Sequence, residues 1–469
     1  MKLLVGALVF ALVFAVAFTQ RGIPLGFAGG SVDGDWFDLG ANLATYGVLG
    51  FGNEPLVYRP PGFPAFVALV LKVVVDPASN SDDILNTRGP SGVLTAQAIV
   101  LAIGAVELFL LMALRLRLFT AFAAALLFGT NPYSLAVASL VHYDVLAWAA
   151  ILMLLLALDR AFQIPDARVA LAAFFGAGCV LAAGALIRPV AMLAPFFLVA
   201  VFWARKNGSA RWKAYATFLA GFAVVLLPWT ARNFVVTGRV LPVHAQGWTA
   251  TFVSSATAMV RNPDVYEWNA VARRYYLPLY KRVTGEETIE TGTYARNVIA
   301  LEDAARAATF VNLRAKPHIY LLNVFTGAKA LCTQINAGIL TIYTKAQTRT
   351  PFRPEWIAAG SRDNILRGPE GDSFRFLHDL LGLTGVFGVC LALKRRDPFL
   401  AVPVAIALTI VATHALSYLD YYYYAVKMPF LVLFGFYGVD MLPRAPRLAL
   451  IVSLLGLSAT LSWLMGFFS

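Results

Sequence analysis

The chain has 469 residues, of which 14% are charged and 59% hydrophobic, where a soluble globular chain carries about 25% charged and at most about half apolar residues. With a mean hydropathy of +0.69, a soluble enzyme on one membrane anchor is excluded, and an all-α polytopic membrane protein is expected. Lys and Arg outnumber Asp and Glu, 38 to 26, for a net charge of +12; in a membrane protein that excess reports topology before nucleic acid.

Residues 2–19 are the first stretch long enough to cross a bilayer. Lys2, the apolar run and Ala15-Val16-Ala17 also fit a cleavable signal peptide, but the length favours a retained first helix. Further spans are expected at 93–114, 118–138, 143–159, 169–187, 190–204, 212–230, 375–393, 398–417, 424–442 and 447–467, about eleven in all. Two other apolar stretches fit less well. Residues 61–75 are short for a span and are entered through Pro60 and Pro61, and 318–342 carries Lys329 in its middle.

Loop charge decides between the possible topologies. If neither stretch crosses, the short basic loops all fall on one side: Arg115 and Arg117; Arg160 and Arg168; Arg205, Lys206, Arg211 and Lys213; Lys394, Arg395 and Arg396; Arg444 and Arg447. The opposite, outer face then receives 20–60, 76–92, 232–317 and 343–374. Loops of that length are uncommon unless functional. Three parts are expected: an N-terminal membrane module over 1–231, an outer cap over 232–317 and a C-terminal membrane module over 318–469.

The first outer loop contains Asp33, Asp35 and Asp38, with Trp36, Phe37, Leu39, Leu43 and Tyr46 at helical spacing. This pattern predicts an amphipathic helix at the interface with acids at its positive end. By themselves the acids fit a helix cap as well as a catalytic site. Asp144 stands at the outer start of a span beside His142. It reads as a functional acid or as a helix-start residue satisfied by backbone donors. Two candidate ligands fall short of the three or four that zinc sites use. A divalent metal ion is therefore left open, and no other cofactor is indicated. Cys179, Cys332 and Cys390 lie in apolar runs without metal or disulfide spacing. No phosphate-binding glycine loop and no nucleic-acid motif occurs.

The loop continues as Asn42-Leu43-Ala44-Thr45-Tyr46-Gly47 and then Tyr58-Arg59-Pro60-Pro61-Gly62-Phe63-Pro64-Ala65-Phe66. Later come Leu186-Ile187-Arg188-Pro189, then Pro228-Trp229-Thr230-Ala231-Arg232-Asn233, and finally Tyr421-Tyr422-Tyr423-Tyr424-Ala425-Val426-Lys427-Met428-Pro429. In order along the chain, these resemble the motifs of the aminoarabinose transferase and protein O-mannosyltransferase group of GT-C glycosyltransferases. The resemblance implies a GT-C-like bundle with interfacial helices in the first outer loop and a small outer cap. It also implies a polyprenyl-phosphate-linked sugar donor, undecaprenyl phosphate in a bacterium, and a lipid, glycan or protein acceptor.

In that group an acid of the first outer loop, about ten residues before the Asn, is the base. Asp33 lies nine before Asn42 and Asp35 seven, so Asp33 is the expected base and Asp35 the alternate. Tyr58, Arg59, Arg188, Arg232 and Lys427 are the expected donor-phosphate group, since arginine suits bidentate phosphate contact. The four cations could instead snorkel to the interface. His142 and Asp144 are assigned to the acceptor or to a second acid. Aromatics of the cap, Trp248, Tyr266, Trp268, Tyr275 and Tyr276, fit sugar stacking or a small core equally. The expected activity is inverting transfer at the periplasmic face of a bacterial inner membrane. A lipid-linked-glycan transporter and a diphosphate-donor polymerase or ligase are the rival readings.

Overall fold

The computed structural model describes residues 1–20, 34–74, 88–205, 208–256, 276–333, 369–395, 397–416 and 427–464. Among these residues the only strands are Gly50–Phe51 and Glu54–Pro55, one antiparallel hairpin of β1 and β2. Everything else of regular structure is helical. In chain order the helices are α1 (Lys2–Gln20), α2 (Gly34–Tyr46), α3 (Gly62–Val74), α4 (Arg88–Met112), α5 (Leu118–Thr130), α6 (Pro132–Ala138), α7 (Asp144–Gln163), α8 (Ala167–Ile187), α9 (Ala194–Arg205) and α10 (Ser209–Thr237). They continue with α11 (Gly247–Ser255), α12 (Leu277–Thr284), α13 (Thr291–Arg296), α14 (Val298–Ala315), α15 (Pro317–Thr333), α16 (Pro369–Arg395), α17 (Ala401–Leu416), α18 (Met428–Asp440) and α19 (Arg444–Leu464).

Seven helices, α1, α4, α7, α8, α10, α16 and α19, are long and apolar enough to cross a membrane. The expected span 118–138 is a pair, α5 and α6, bent by 50°. The cause is local: Pro132 follows Asn131, whose extended backbone ends α5 and whose side chain accepts from Ser134 N to start α6. Three more of the eleven expected spans are shorter apolar helices, Pro189–Arg205, Pro398–His414 and Met428–Asp440. Each has a proline at or near its start, and the first two open with a 3-10 turn. Among the described residues, seven helices pass by length and composition alone, or eight with the bent pair, and the three shorter apolar helices account for the rest of the eleven expected segments. The 13 residues of α3 rise only about 20 Å, against a hydrocarbon core of roughly 30 Å. Residues 318–333, Lys329 among them, belong to α15, and 334–342 lie outside the described residues.

Glycine sets the closest helix approaches. A Cβ on Gly178 of α8 would stand 2.0 Å from the Phe218 carbonyl oxygen of α10, and one on Gly221 of α10 would stand 2.0 Å from that of Phe175 on α8. The α16–α18 pair closes in the same way around Gly388 and Gly438. Small residues of this kind let helix backbones touch where lipid supplies no hydrophobic drive.

The two ends of the bundle differ. At one end Asp159, buried at the end of α7, lies between Arg205 at 3.5 Å and Arg115 at 3.6 Å. Asp440 accepts from Thr120 Oγ1 at 2.6 Å and pairs with Arg117 at 3.6 Å. The other end carries α2, the hairpin, α3, the start of α7 and the ends of α8 and α10. Helices α11, α12 and α14 pack beside it around a separate small core of Phe252, Tyr276, Leu279, Tyr280, Leu301 and Ala305. The expected cap boundary at 231/232 falls inside α10, which runs unbroken to Gly238, a left-handed residue with φ +68° that terminates it.

Candidate active site

The first loop is built around Asn42. Its Nδ2 donates to the carbonyls of Val48 and Gly52, both at 2.9 Å, and its Oδ1 accepts from Gly52 N at 2.8 Å. One side chain thus closes the turn from α2 into the hairpin. The hairpin needs its glycines: Gly52 has φ +56°, and a Cβ on Gly50 would fall 1.8 Å from the Glu54 oxygen. Arg232, in the last turns of α10, donates to Leu56 O at 2.8 Å and Leu49 O at 3.2 Å. Arg296 pairs with Glu54 at 2.8 Å, and Ala245 N donates to Val57 O at 2.9 Å. The strand end is held on these sides, and it presents Tyr58 and Arg59.

Arg59 meets Asp35 in the first turn of α2. Its Nη2 lies 2.7 Å and its Nε 2.8 Å from Asp35 Oδ2. Its guanidinium also lies 4.9 Å over the Trp36 ring and 5.5 Å over that of Tyr58. Burial works against the arginine charge, yet Asp35 outweighs it and the guanidinium is held more firmly protonated than usual. Asp35 Oδ1 is buried with no hydrogen bond. Desolvation and then the charge of Asp35 raise the carboxyl of Asp38, one turn along.

A second acid–arginine pair lies behind the first. Asp144 opens α7 fully buried and is ion-paired with Arg188, the residue that ends α8. His142 Nδ1 stands 3.1 Å from Asp144 Oδ2. Gln97, buried on α4, holds this loop: its Nε2 donates to Leu140 O at 2.7 Å, and its Oε1 accepts from His142 N at 3.3 Å. Gly62, at the start of α3, packs so close to Ile187 that a Cβ would lie 2.8 Å from its backbone nitrogen. The two pairs are joined by aromatic rings. Trp36 and Tyr143 have centroids 5.0 Å apart, and Arg188 lies 5.2 Å over Tyr143. A continuous group therefore runs from Asp35 and Arg59 through Trp36 and Tyr143 to Arg188, Asp144 and His142.

Beside Arg59 stand residues of the cap segment. The rings of Tyr58 and Tyr294 are 6.3 Å apart, and Gln246 Nε2 donates to Tyr294 Oη at 3.2 Å. Glu302 accepts from Trp248 N and Thr249 N, both at 2.8 Å, and from Thr249 Oγ1 at 2.5 Å, which anchors the start of α11. Trp248 and Tyr276 belong to the core of the cap; Tyr266, Trp268 and Tyr275 lie outside the described residues.

Of the residues singled out from sequence, Asp35, Tyr58, Arg59, His142, Asp144 and Arg188 come together. Arg232 is adjacent, with two of its nitrogens engaged by loop carbonyls. Lys427 is the N-cap residue of α18, and its charge acts on His378 of α16. Asp33 lies outside the described residues. Among the described residues no three of His, Cys, Asp and Glu gather as a metal-ligand set. Sequence reasoning missed Gln97, His244 and Tyr294. Gln97 had a signal, as a polar residue within an apolar run; the other two lack any motif.

No protein-family model and no curated protein matches the chain. Among solved structures, the archaeal oligosaccharyltransferase AglB from Archaeoglobus fulgidus, in complex with an inhibitory peptide and a dolichol-phosphate, aligns at TM-score 0.53 and 12% identity, covering 98% of this chain and 55% of AglB. An Archaeoglobus fulgidus oligosaccharyltransferase in the apo form aligns at TM-score 0.53 and 11% identity over 98% of this chain and 55% of that one. ArnT from Cupriavidus metallidurans bound to undecaprenyl phosphate aligns at TM-score 0.41 and 13% identity, over 92% of this chain and 77% of ArnT, a likeness too low to build on. Identities at this level establish the fold. The chain is a multi-pass all-α membrane protein with the fold of the GT-C glycosyltransferases, and it spans about half the length of AglB.

Proposed function

We propose that this protein is an inverting glycosyltransferase that takes a sugar from a polyprenyl-phosphate donor in the membrane and attaches it to an acceptor hydroxyl. The observation that carries this reading is the pair of acid–arginine couples, Asp35–Arg59 and Asp144–Arg188, joined through Trp36 and Tyr143 at one end of a GT-C bundle. Support for a lipid-phosphate donor comes from the dolichol-phosphate in the AglB complex.

In this reaction an acid of the first loop, Asp33 or Asp35, takes the acceptor's hydroxyl proton. The acceptor oxygen then forms its bond to the anomeric carbon, and the bond to the phosphate oxygen breaks with its electron pair going to the phosphate. The leaving phosphate gains charge, and Arg188, Arg59 and Lys427 are the cations assigned to it. Arg232 holds the hairpin and acts through Arg59. Asp144 fixes Arg188, and His142 lies at hand for the acceptor. The basic end of the bundle is assigned to the cytoplasm, which puts the site on the periplasmic face of a bacterial inner membrane.

The test is mass spectrometry of polyprenyl-linked monosaccharides and envelope glycoconjugates from cells with the protein, without it, and with Asp33→Asn or Asp35→Asn. Accumulation of a polyprenyl-phosphate sugar, with loss of that sugar from one glycoconjugate, is expected in the deletion and in one Asn strain. Donor trapped on the cytoplasmic leaflet identifies a transporter instead. Turnover of diphosphate donors alone identifies a polymerase or ligase.

A further inference from the structure

We infer that the cap supplies the subsite for the donor's sugar ring: His244, Gln246 and Tyr294 form a wall on one side of Arg59 that binds sugar hydroxyls, while the lipid phosphate is held on its other side, toward Arg188. The inference rests on the glycosyltransferase reading and divides its donor between two places.

Chain geometry brings these residues together. Val243 O accepts from Trp229 Nε1 at 2.7 Å and Asn233 Nδ2 at 3.0 Å, which pins the strand leaving α10. Ala245 N then bonds Val57 O at 2.9 Å, so His244 and Gln246 run alongside Tyr58 and Arg59. Tyr294, at the start of the cap's second half, closes over them: its ring is 6.3 Å from that of Tyr58, and its hydroxyl accepts from Gln246. Arg59 acts electrostatically on both His244 and Tyr294. His244, Gln246 and Tyr294 are half-buried, and the Arg59 side chain is 25% exposed, so a ligand can reach them.

The chemistry of this wall is that of hydroxyl recognition. A phenol, an imidazole and a carboxamide are neutral groups, each able both to donate and to accept. Sugar hydroxyls need both, and an aromatic face as well. Burial and then the Arg59 charge bring the His244 imidazole down to about 3, so it is neutral at physiological pH. The guanidinium of Arg59 has Nε and Nη2 on Asp35, which offsets its charge. The second couple, Arg188 with Asp144, lies across the Trp36–Tyr143 contact, and the division assigns it the phosphate.

Full-length protein in nanodiscs is titrated by native mass spectrometry with undecaprenyl phosphate and with undecaprenyl phosphate linked to mannose, glucose, galactose, arabinose or aminoarabinose. At least one conjugate should bind about tenfold or more tighter than the bare lipid phosphate. Tyr294→Phe, which removes one hydroxyl and keeps the ring, and His244→Gln should each cut that advantage about fivefold or more, as expected for one lost buried hydrogen bond. Both should leave bare undecaprenyl phosphate within about twofold of wild type, whereas Arg188→Lys weakens it. Gln246→Ala serves as a third variant should either of the others fail to fold. If the wild type binds no undecaprenyl phosphate, the donor reading itself falls. If it binds the lipid but no conjugate gains, if the cap variants leave the gain untouched, or if Arg188→Lys leaves the bare lipid bound as before, the divided site is wrong and the donor reading stands.

Discussion

Trp36 and Tyr143 touch with ring centroids 5.0 Å apart, and this contact ties the first loop to the start of α7. Trp36 also stacks with Arg59, and Tyr143 with Arg188. An aromatic pair is worth about 0.5–1.5 kcal/mol beyond its burial, so the contact matters mainly for alignment. Trp36→Leu is expected to lower turnover at least about tenfold, since small misplacements of reacting groups are costly, while the protein still folds. Turnover per mole of monodisperse protein, compared with its thermal midpoint, checks this.

Asp35 and Asp144 should behave differently on amidation. Asp35→Asn keeps the shape of a partly exposed couple, and if Asp35 is the base it lowers kcat by about 10²–10⁴ with normal folded yield. Asp144 is fully buried, and breaking a buried pair costs about 3–5 kcal/mol because it strands the partner charge. Asp144→Asn is therefore expected to lower both activity and folded yield. Full turnover retained by both Asp33→Asn and Asp35→Asn would falsify the assigned base.

Gln97→Leu keeps the volume of a buried side chain and removes both of its bonds to the 140–142 loop. It leaves the Leu140 carbonyl and the His142 amide without their partner, at about 1–3 kcal/mol each. The expected outcome is a lower thermal midpoint together with a fall in kcat, because His142 and Asp144 lose their support. Unchanged kcat in folded Gln97→Leu argues that the loop is positioned by other contacts.

His244 gives stability a pH dependence. Its folded pKa, about 3, lies below the ordinary 6.5, so the unfolded chain takes up a proton first as pH falls. Stability is therefore lost between about 6.5 and 3, with a limiting slope of about 1.4 kcal/mol per pH unit. The raised carboxyl of Glu302 works in the opposite sense, weakening the fold as pH rises through its titration. The difference between wild type and His244→Gln isolates the histidine. Thermal midpoints of the two proteins in detergent should converge as pH is lowered from 7 to 4, and parallel curves would count against a half-buried imidazole held neutral in the fold.

Gly178 and Gly221 meet the opposing backbone without a side chain between them. Gly178→Val forces α8 and α10 apart, an overpacking cost of about 1–3 kcal/mol or more, and should lower the thermal midpoint. A surface control such as Gly176→Ala, which has open space at its Cβ, should not.

Much of the architecture could be read from apolar runs and loop charge, because both follow directly from the bilayer as solvent. Where prolines interrupt the apolar runs the helices are shorter than the runs themselves, and a hydropathy window cannot tell 13 helical residues from 20. Asn42, Arg59 and Arg188 were legible because their neighbours form short local motifs. Arg232 was legible as a residue but not in its contacts, since its partners Leu49 and Leu56 are backbone carbonyls that leave no mark in sequence. Tyr143 and Trp36 meet only through the packing of α2 on the bundle. His244 and Tyr294 reach Arg59 from separate turns of the cap, and no local pattern announces such a meeting.

The break at Asn131 has one more effect. Helix α5 stops at Asn131 and α6 turns by 50°, and the Ser139–His142 segment that follows is buried in protein. For the proposed transfer, the chief competitor for the activated sugar is water itself. If the proposed transfer takes place here, a reaction centre set down among helices keeps bulk solvent from the anomeric carbon, and the burial that follows the kink then serves to limit wasteful hydrolysis of the donor.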